Sequence, residues 1–464
     1  MLNVCGLGTS AAGNVGVTRQ ATVDANVEGS RGYVKTIDND TDKLSVTKSF
    51  TMTEALTPFN ANRDDPMRSA MNQTQTSKHQ LRTKKSMPAL ISNGADQAMP
   101  YISPDTFAFK AKDNGKVIEK TEDYIILQYK NGNNDFIDLR NTIKKNSNSG
   151  FFIDVKLDSD LKVGNKVEKG EVVAYDKLSY SKKISDSDTL AYNMGTLVKV
   201  AALNSDEGFE DSCIVSEYLS DSLTSDIVLE KNIKLPKNTN ILYMVKKGQE
   251  IQEGDNLLLF QNAFDDEDVN FLLKTLADED NKDDISDLGR ISVKSKVTGI
   301  VDDIKIYRTC EKNELSPSLK KIVNDYEKPI KNLKSTLDKY NIDSSDKLEA
   351  DYKLEQVGKV KNVYDGILIE FYLRYNDKFG VGDKLVFNTA CKGVCKEIFS
   401  EGKEPYTDFR PNEEISAILG QGAILARMVP SIIITGSINK GLIELDRAVK
   451  EIAGIEWKPV TELE

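Results

Sequence analysis

Apolar positions along this chain follow two periods. Between about 100 and 260 they come in short runs bounded by glycine, asparagine and aspartate, the pattern of strands. Tyr124–Tyr129, Val172–Tyr175 and Thr196–Val200 are the clearest of these runs. Strands are predicted again within 291–307 and over Val363–Tyr372. By contrast, Leu319, Ile322, Val323, Tyr326, Ile330, Leu333, Leu337 and Tyr340 recur at helical spacing. They predict a helical hairpin over 315–350, kinked or divided at Pro329. Val269, Leu272, Leu273 and Leu276 lie in the acidic stretch 264–288 and predict one amphipathic helix on a protruding element. Near the end, Ile432–Thr435 reads as a strand and 442–453 as a closing helix. Residues 1–90 are polar and weakly periodic, with Asp65-Pro66 able to start a short helix.

A glycine pattern punctuates the β-rich part. Lys162-Val163-Gly164-Asn165-Lys166-Val167-Glu168-Lys169-Gly170-Glu171 is echoed by Lys246-Lys247-Gly248-Gln249-Glu250-Ile251-Gln252-Glu253-Gly254-Asp255. Phe379-Gly380-Val381-Gly382-Asp383-Lys384 is a shorter copy. Each reads as a turn, a short strand and a further turn, a unit from which small barrels are built. Glycine-bounded turns also resemble one another without any relationship, so both readings stand.

Composition narrows the chemistry. The 464 residues allow two to four domains. No run of eighteen apolar residues is present, and the amino terminus lacks the basic and apolar regions of a signal peptide. Five cysteines in so long a chain do not suggest a disulfide framework, which makes a reducing cytoplasm the expected setting. A net charge of −11 argues against a protein that coats nucleic acid by itself. With His79 as the one histidine, a two-histidine metal site within the chain is excluded.

The candidate chemistry centres on lysines. Gly382-Asp383-Lys384 is followed by Lys392-Gly393-Val394, which places two ammonium groups eight residues apart, each near a glycine. Ammonium groups suit phosphate oxygens, and glycine lets backbone approach a ligand. Glu210 and Asp211 are adjacent carboxylates that read either as a solvated turn or as a neighbour to a hard cation. Asp64-Asp65 carries the same two readings. Arg427, an arginine in an apolar stretch after Gly420-Gln421-Gly422, suits either phosphate or a structural ion pair. Cys391 and Cys395 lack a second cysteine pair at zinc-ribbon distance.

Four blocks, in order, give these residues a shared context. They are Pro58-Phe59 with Asp64-Asp65 and Arg68-Ser69-Ala70-Met71; Gly164 to Ala174, then Gly195 to Glu217 with Gly208-Phe209-Glu210-Asp211-Ser212; the lysine pair; and Asn412 to Met428. Over about 45–450 the chain resembles the carboxy-terminal half of the β subunit of multisubunit DNA-directed RNA polymerases, of the split type found in giant bacteriophages. It departs from that family between the lysines, where Phe387-Asn388-Thr389-Ala390-Cys391 replaces a basic stretch, and it lacks the family's carboxy-terminal anchor block.

The resemblance implies an α+β fold, mainly β, with a double-psi β-barrel assembled from discontinuous segments. Its parts would be an irregular segment with a fork-like helix (1–90), the first part of the barrel (91–220), a flap-like domain (221–300), a strand with a helical insert (301–360), and the second part of the barrel with a closing helix (361–464). It implies that Lys384 and Lys392 hold the RNA 3′ end or initiating phosphates. Arg427 and Arg68 would contact the incoming triphosphate, and Glu210 and Asp211 would lie near the second magnesium. The chain would form one wall of a magnesium-dependent nucleotidyl-transfer site, inactive alone, with the metal held mainly by a β′-like subunit or its halves. Its other partners would be the amino-terminal half of β, DNA template, RNA transcript, nucleoside triphosphates and a promoter-specificity factor. The location would be the cytoplasm of an infected bacterium or the virion. A biotinyl or lipoyl carrier barrel, with Lys177 as the modified residue, and a phage structural protein are the rival expectations.

Overall fold

The computed structural model describes residues 85–145, 152–183, 186–203, 210–261, 290–342, 365–388, 391–400, 402–426 and 430–458, with shorter pieces before 85 and between 356 and 361. The fold is mixed α+β and mainly β, with its strands distributed over many small sheets.

The first β unit holds a four-stranded sheet in the order Lys166–Val167, Gly115–Lys120, Tyr124–Tyr129, Asn134–Asp138. A three-stranded sheet containing Val172–Asp176 stands beside it. The apolar run at Tyr124–Tyr129 becomes the central strand, and Ile125, Ile126 and Leu127 are fully buried on its two faces. Val117, Ile137, Val155, Val167 and Val173 complete that core.

The chain then passes through β1 (Val200–Ala202), β2 (Ser212–Ser216) and β3 (Ser225–Pro236). The predicted strand at Thr196–Val200 is a strand only from Val200, where its parallel register with Ala417–Leu419 begins. A three-stranded antiparallel sheet of Asn240–Met244, Asn256–Gln261 and Arg290–Lys294 follows, and then β4 (Gly299–Arg308) and helix α1 (Pro317–Lys339). The strand β5 (Gly366–Asp377) returns through the middle of a second sheet, between β3 and β4. It pairs with β3 over twelve residues, from Ser225↔Asp377 to Pro236↔Gly366. This pairing has a sequence separation above a hundred residues, which no local pattern reveals. Leu235, Val301, Ile367, Ile369, Phe371 and Leu373 bury the sheet against Leu319 and Val323 of α1.

Of the kink or division predicted at Pro329, the division does not occur, and helix α1 runs unbroken through it. Pro329 lies on the exposed side, so water can satisfy the carbonyl it leaves unbonded. On either side Glu327 and Ile330 are buried and hold both halves. Glu327 meets Arg308 at 3.0 Å, Lys312 at 2.6 Å and Lys331 at 2.9 Å, which locks the helix to β4. The second arm of the expected hairpin and the amphipathic helix at 264–288 lie outside the described residues.

The last part contains β6 (Lys384–Phe387), β7 (Cys391–Phe399), the small hairpin β8 (Tyr406–Thr407) and β9 (Arg410–Glu414), β10 (Ala417–Leu419), and helices α2 (Gln421–Ala426) and α3 (Pro430–Ile452). Ile432–Thr435, read from its branched side chains as a strand, belongs to α3. Helical spacing lets Ser431 and Thr435 share the buried side, where the Thr435 hydroxyl donates to the Ser431 carbonyl at 2.7 Å. Local β preference yields to that tertiary fit.

The glycine pattern corresponds to one recurring turn. At 162–165, 168–171, 246–249, 252–255 and 380–383 the fourth residue's N–H donates to the first residue's carbonyl at 3.0–3.1 Å. The third residue is glycine with φ between 80° and 95°, as a type II turn requires. The fourth residue's side chain accepts from the first residue's N–H, as Asn165 does from Lys162 and Asp383 from Gly380. Each turn glycine also donates to a carbonyl in a neighbouring strand or just past its end, Gly382 to the Cys395 carbonyl at 2.7 Å among them. The same attachment at five places shows that the sequence repeat is a repeat of structure.

Candidate functional site

One five-stranded sheet gathers most of the candidate residues. Its order is β1-β10-β2-β7-β6. β2 runs parallel to β7 and antiparallel to β10, and β6 with β7 forms an antiparallel hairpin. Alternation along β7 assigns its faces. Cys391, Gly393 and Cys395 are buried, whereas Lys392 and Lys396 are exposed. The inner side packs Cys213, Val215, Phe387, Ala417 and Leu419.

The hairpin register decides where the two lysines point. Lys384 lies opposite Val394, and Val386 lies opposite Lys392. Cross-strand partners share a face, as do residues two apart on one strand. Lys384 and Lys392 are therefore diagonal neighbours on one open face. Such positions are about 7–8 Å apart at the backbone, within reach of one phosphate group for long side chains. Both lie on strands, at the ends of which the glycine turn and the hairpin turn hold them.

The glycines beside them do different work from ligand approach. Gly382 supplies φ +95 to the turn. Gly393 faces inward, where an added Cβ would stand 2.8 Å from Cys213 Sγ and 3.0 Å from Cys213 Cβ. It lets β7 press against β2 and so fixes the position of Lys392.

Glu210 and Asp211 arrive at the same end of the sheet. Ser212 is the register partner of Val394, and the Val394 N–H donates to the Asp211 carbonyl at 2.8 Å. Asp211 Oδ2 stands 4.0 Å from Lys392 Nζ, with both side chains 48% exposed. Glu210 is exposed and takes φ +53, a left-handed conformation uncommon outside glycine. β10 also ends here, since Leu419 and Cys395 both pair with Cys213. Helix α2 follows at once and leads to residue 427. Arg427, Arg68, Asp64 and Asp65 lie outside the described residues, as do Gly208 and Phe209.

The lysines of this region differ in their engagement. Lys378 bonds Glu217 and reaches Asp221 at 2.7 Å. Hydrogen bonds from Asp221 and Glu217 hold its ammonium above the ordinary value. Among the described residues Lys384 makes no ion pair, and Lys392 has only the long approach to Asp211. Lys396, which the sequence reading did not single out, is a third exposed lysine of the hairpin, on β7 two positions beyond Val394. The alternating Lys-Gly-Val-Cys-Lys pattern carried the signal for it.

An open face with Lys384, with Lys392 only loosely engaged by Asp211, and with a third lysine nearby can hold a phosphate chain or a nucleic-acid backbone. Magnesium takes six oxygen ligands, and among the described residues no group of three or more acidic, histidine or cysteine side chains is placed to hold an ion. Glu210 and Asp211 suffice to neighbour an ion carried in by phosphate oxygens. Thiol chemistry is also disfavoured, since burial pushes the Cys213 thiol up to about 12 and raises Cys395 as well. Lys177 does not sit at a hairpin tip, because the strands before and after it pair with other strands, and it bonds Asp158. No protein-family model matches this chain, and no curated protein is similar to it.

Proposed function

We propose that this chain is the carboxy-terminal part of a split β subunit of a multisubunit DNA-directed RNA polymerase. One observation carries the reading. Residues from three separated blocks of the sequence, Glu210-Asp211, the lysine pair and the end of β10 before α2, meet at one end of one sheet. In this reading the mixed parallel and antiparallel sheet is part of a double-psi barrel. Lys384 and Lys392 hold phosphates of the RNA 3′ end or the initiating nucleotide. Lys396 extends the same cationic strip, and Arg427 and Arg68 contact the incoming triphosphate. Asp211 orients Lys392 and, with Glu210, faces the magnesium that accompanies the triphosphate. When bound, that ion neutralises developing phosphoryl charge. The remaining carboxylates come from a β′-like subunit or its halves, and the amino-terminal half of β completes the wall. Template, transcript and a promoter-specificity factor bind the assembly, in the infected cell or the virion. The contribution of this chain is positioning, which holds two reactants in line without forming a bond to either.

The test uses the assembled enzyme. Lys384→Ala and Lys392→Ala each weaken RNA or nucleotide holding by about 1.5–3 kcal/mol, roughly ten- to 150-fold, the scale of a charge-assisted hydrogen bond. Lys378→Ala, which removes a committed lysine, has far less effect on extension. Full extension activity in the Lys392→Ala enzyme ends the assignment.

A further inference from the structure

The outer face of α3 displays side chains that helices normally hide. Ile438, Leu442, Leu445, Val449 and Ile452 are 43%, 44%, 61%, 56% and 88% exposed. Their spacing of four, three, four and three residues places them on one side of the helix. Gly441 and Ala448, with Ile455 just beyond the helix, border the stripe on one flank and add no charge. The stripe is thus as wide as a core-facing helix surface, wider than the seam of a two-stranded coil. The first turns of the same side are already seated, since Ser431 and Thr435, which continue the spacing of the stripe, are buried. Away from the stripe, Arg447 bonds Glu413, and Arg410 Nη2 lies 2.6 Å from Glu444.

Two further observations narrow what covers the stripe. Gly441 stands inside the helix, where glycine is less stable than alanine, yet a Cβ built there meets nothing within 4 Å. Its small size answers no need among the described residues and suits close approach by another backbone. The lysines of the helix lie off the stripe and are committed, Lys440 on the far side to Glu444 at 2.6 Å and Lys450 to Asp446 at 2.9 Å. They do not form the basic rim by which a surface helix reads an anionic membrane.

Size decides between a second copy and another polypeptide. At 1.5 Å per residue, the stretch 438–452 is about 21 Å long, and a 100° strip of a helix about 10 Å across covers roughly 200 Å². A stable free-standing dimer buries about 800 Å² on each partner. A second copy docked through α3 alone falls far short. We propose that α3 is the seat of a different polypeptide, which grips this chain over a wider contact and lays an uncharged apolar groove across Ile438 to Ile452. The proposal stands apart from the polymerase reading, although a split subunit would have such a partner.

Thiol accessibility tests it. Leu445→Cys, wild-type and Val163→Cys chains are labelled with a small maleimide, alone and in the complex isolated with the full chain from its native source. The wild type corrects for Cys310, the partly exposed native thiol among the described cysteines. Val163, 61% exposed in the first β unit, is the accessible control. The expected result is labelling at 445 slowed at least tenfold in a complex that native mass spectrometry shows to contain another polypeptide, with 163 unchanged. Equal labelling at 445 in that complex, a chain that isolates alone, protection in a particle of two copies only, or protection by protein-free anionic vesicles each overturns the proposal. Templated RNA synthesis by the same complex is scored separately. A complex that protects 445 but makes no RNA keeps the seat and removes the polymerase reading.

Discussion

Replacing Gly393 by alanine perturbs the lysine pair from beneath. The new methyl would stand 2.8 Å from Cys213 Sγ and 3.0 Å from Cys213 Cβ. Ordinary carbon contacts lie at about 3.5–4.0 Å, so β7 and β2 must separate by roughly 0.5–1 Å. Cys213 is fully buried among Val215, Cys395 and Leu419 and has little room to retreat. Overpacking of this kind costs about 1–3 kcal/mol. The strain falls on the bonds that join the candidate residues, from Val394 N–H to the Asp211 carbonyl and from Cys395 N–H to the Asp383 carbonyl, both 2.8 Å. Native-state hydrogen exchange reads these two amides directly, and their opening free energy should fall by about 2 kcal/mol. Cys213→Ala removes the nearer clash and leaves the one at 3.0 Å. In the double variant about half the loss should return, a coupling of about 1 kcal/mol. A loss under about 0.5 kcal/mol at these amides, or strictly additive substitutions, would refute the view that Gly393 is fixed by packing.

Two other perturbations address the frame. Arg374 is shared among Asp154 at 2.8 Å, Asp302 at 2.8 Å and Asp226 at 3.6 Å, all four side chains being about four-fifths buried. Arg374→Met leaves three carboxylates facing one another and should cost up to about 3–5 kcal/mol in thermal unfolding, with Arg374→Lys recovering only part; a loss below about 1 kcal/mol contradicts this. Hydrogen bonds from Arg410 and then Lys440 lower the Glu444 carboxyl from 4.5 to about 2. A depressed folded-state value gives a contribution fully present above pH 4.5 and lost as pH falls toward 2. Trp457, the one tryptophan, stacks 3.9 Å from the Arg447 guanidinium on α3 and reports that region by fluorescence. A transition in this pH window should be present in the wild type and absent in Glu444→Gln; an unchanged transition in the variant removes Glu444 as its source.

The local pattern determined what needs only neighbours along the chain. The run at Tyr124–Tyr129 could be read because branched and aromatic residues fit a pleated, buried surface. The type II turns were legible because their φ values demand glycine at fixed positions, whatever the surrounding fold. The eight-residue separation of Lys384 and Lys392 already suggested one site, since a short hairpin returns the chain to its starting point. Only the tertiary structure decided the rest. Pairing of β3 with β5 and convergence of β2, β7 and β10 join residues more than a hundred positions apart, and sequence periodicity does not encode partners. The same context overrode local preference at Ile432–Thr435 and kept α1 continuous through Pro329. It also gave Gly393 its purpose, because the sulfur that excludes a side chain there belongs to another strand. Propensity and turn chemistry are properties of neighbouring residues, whereas register, burial and close approach are properties of surfaces that exist only once distant strands have met.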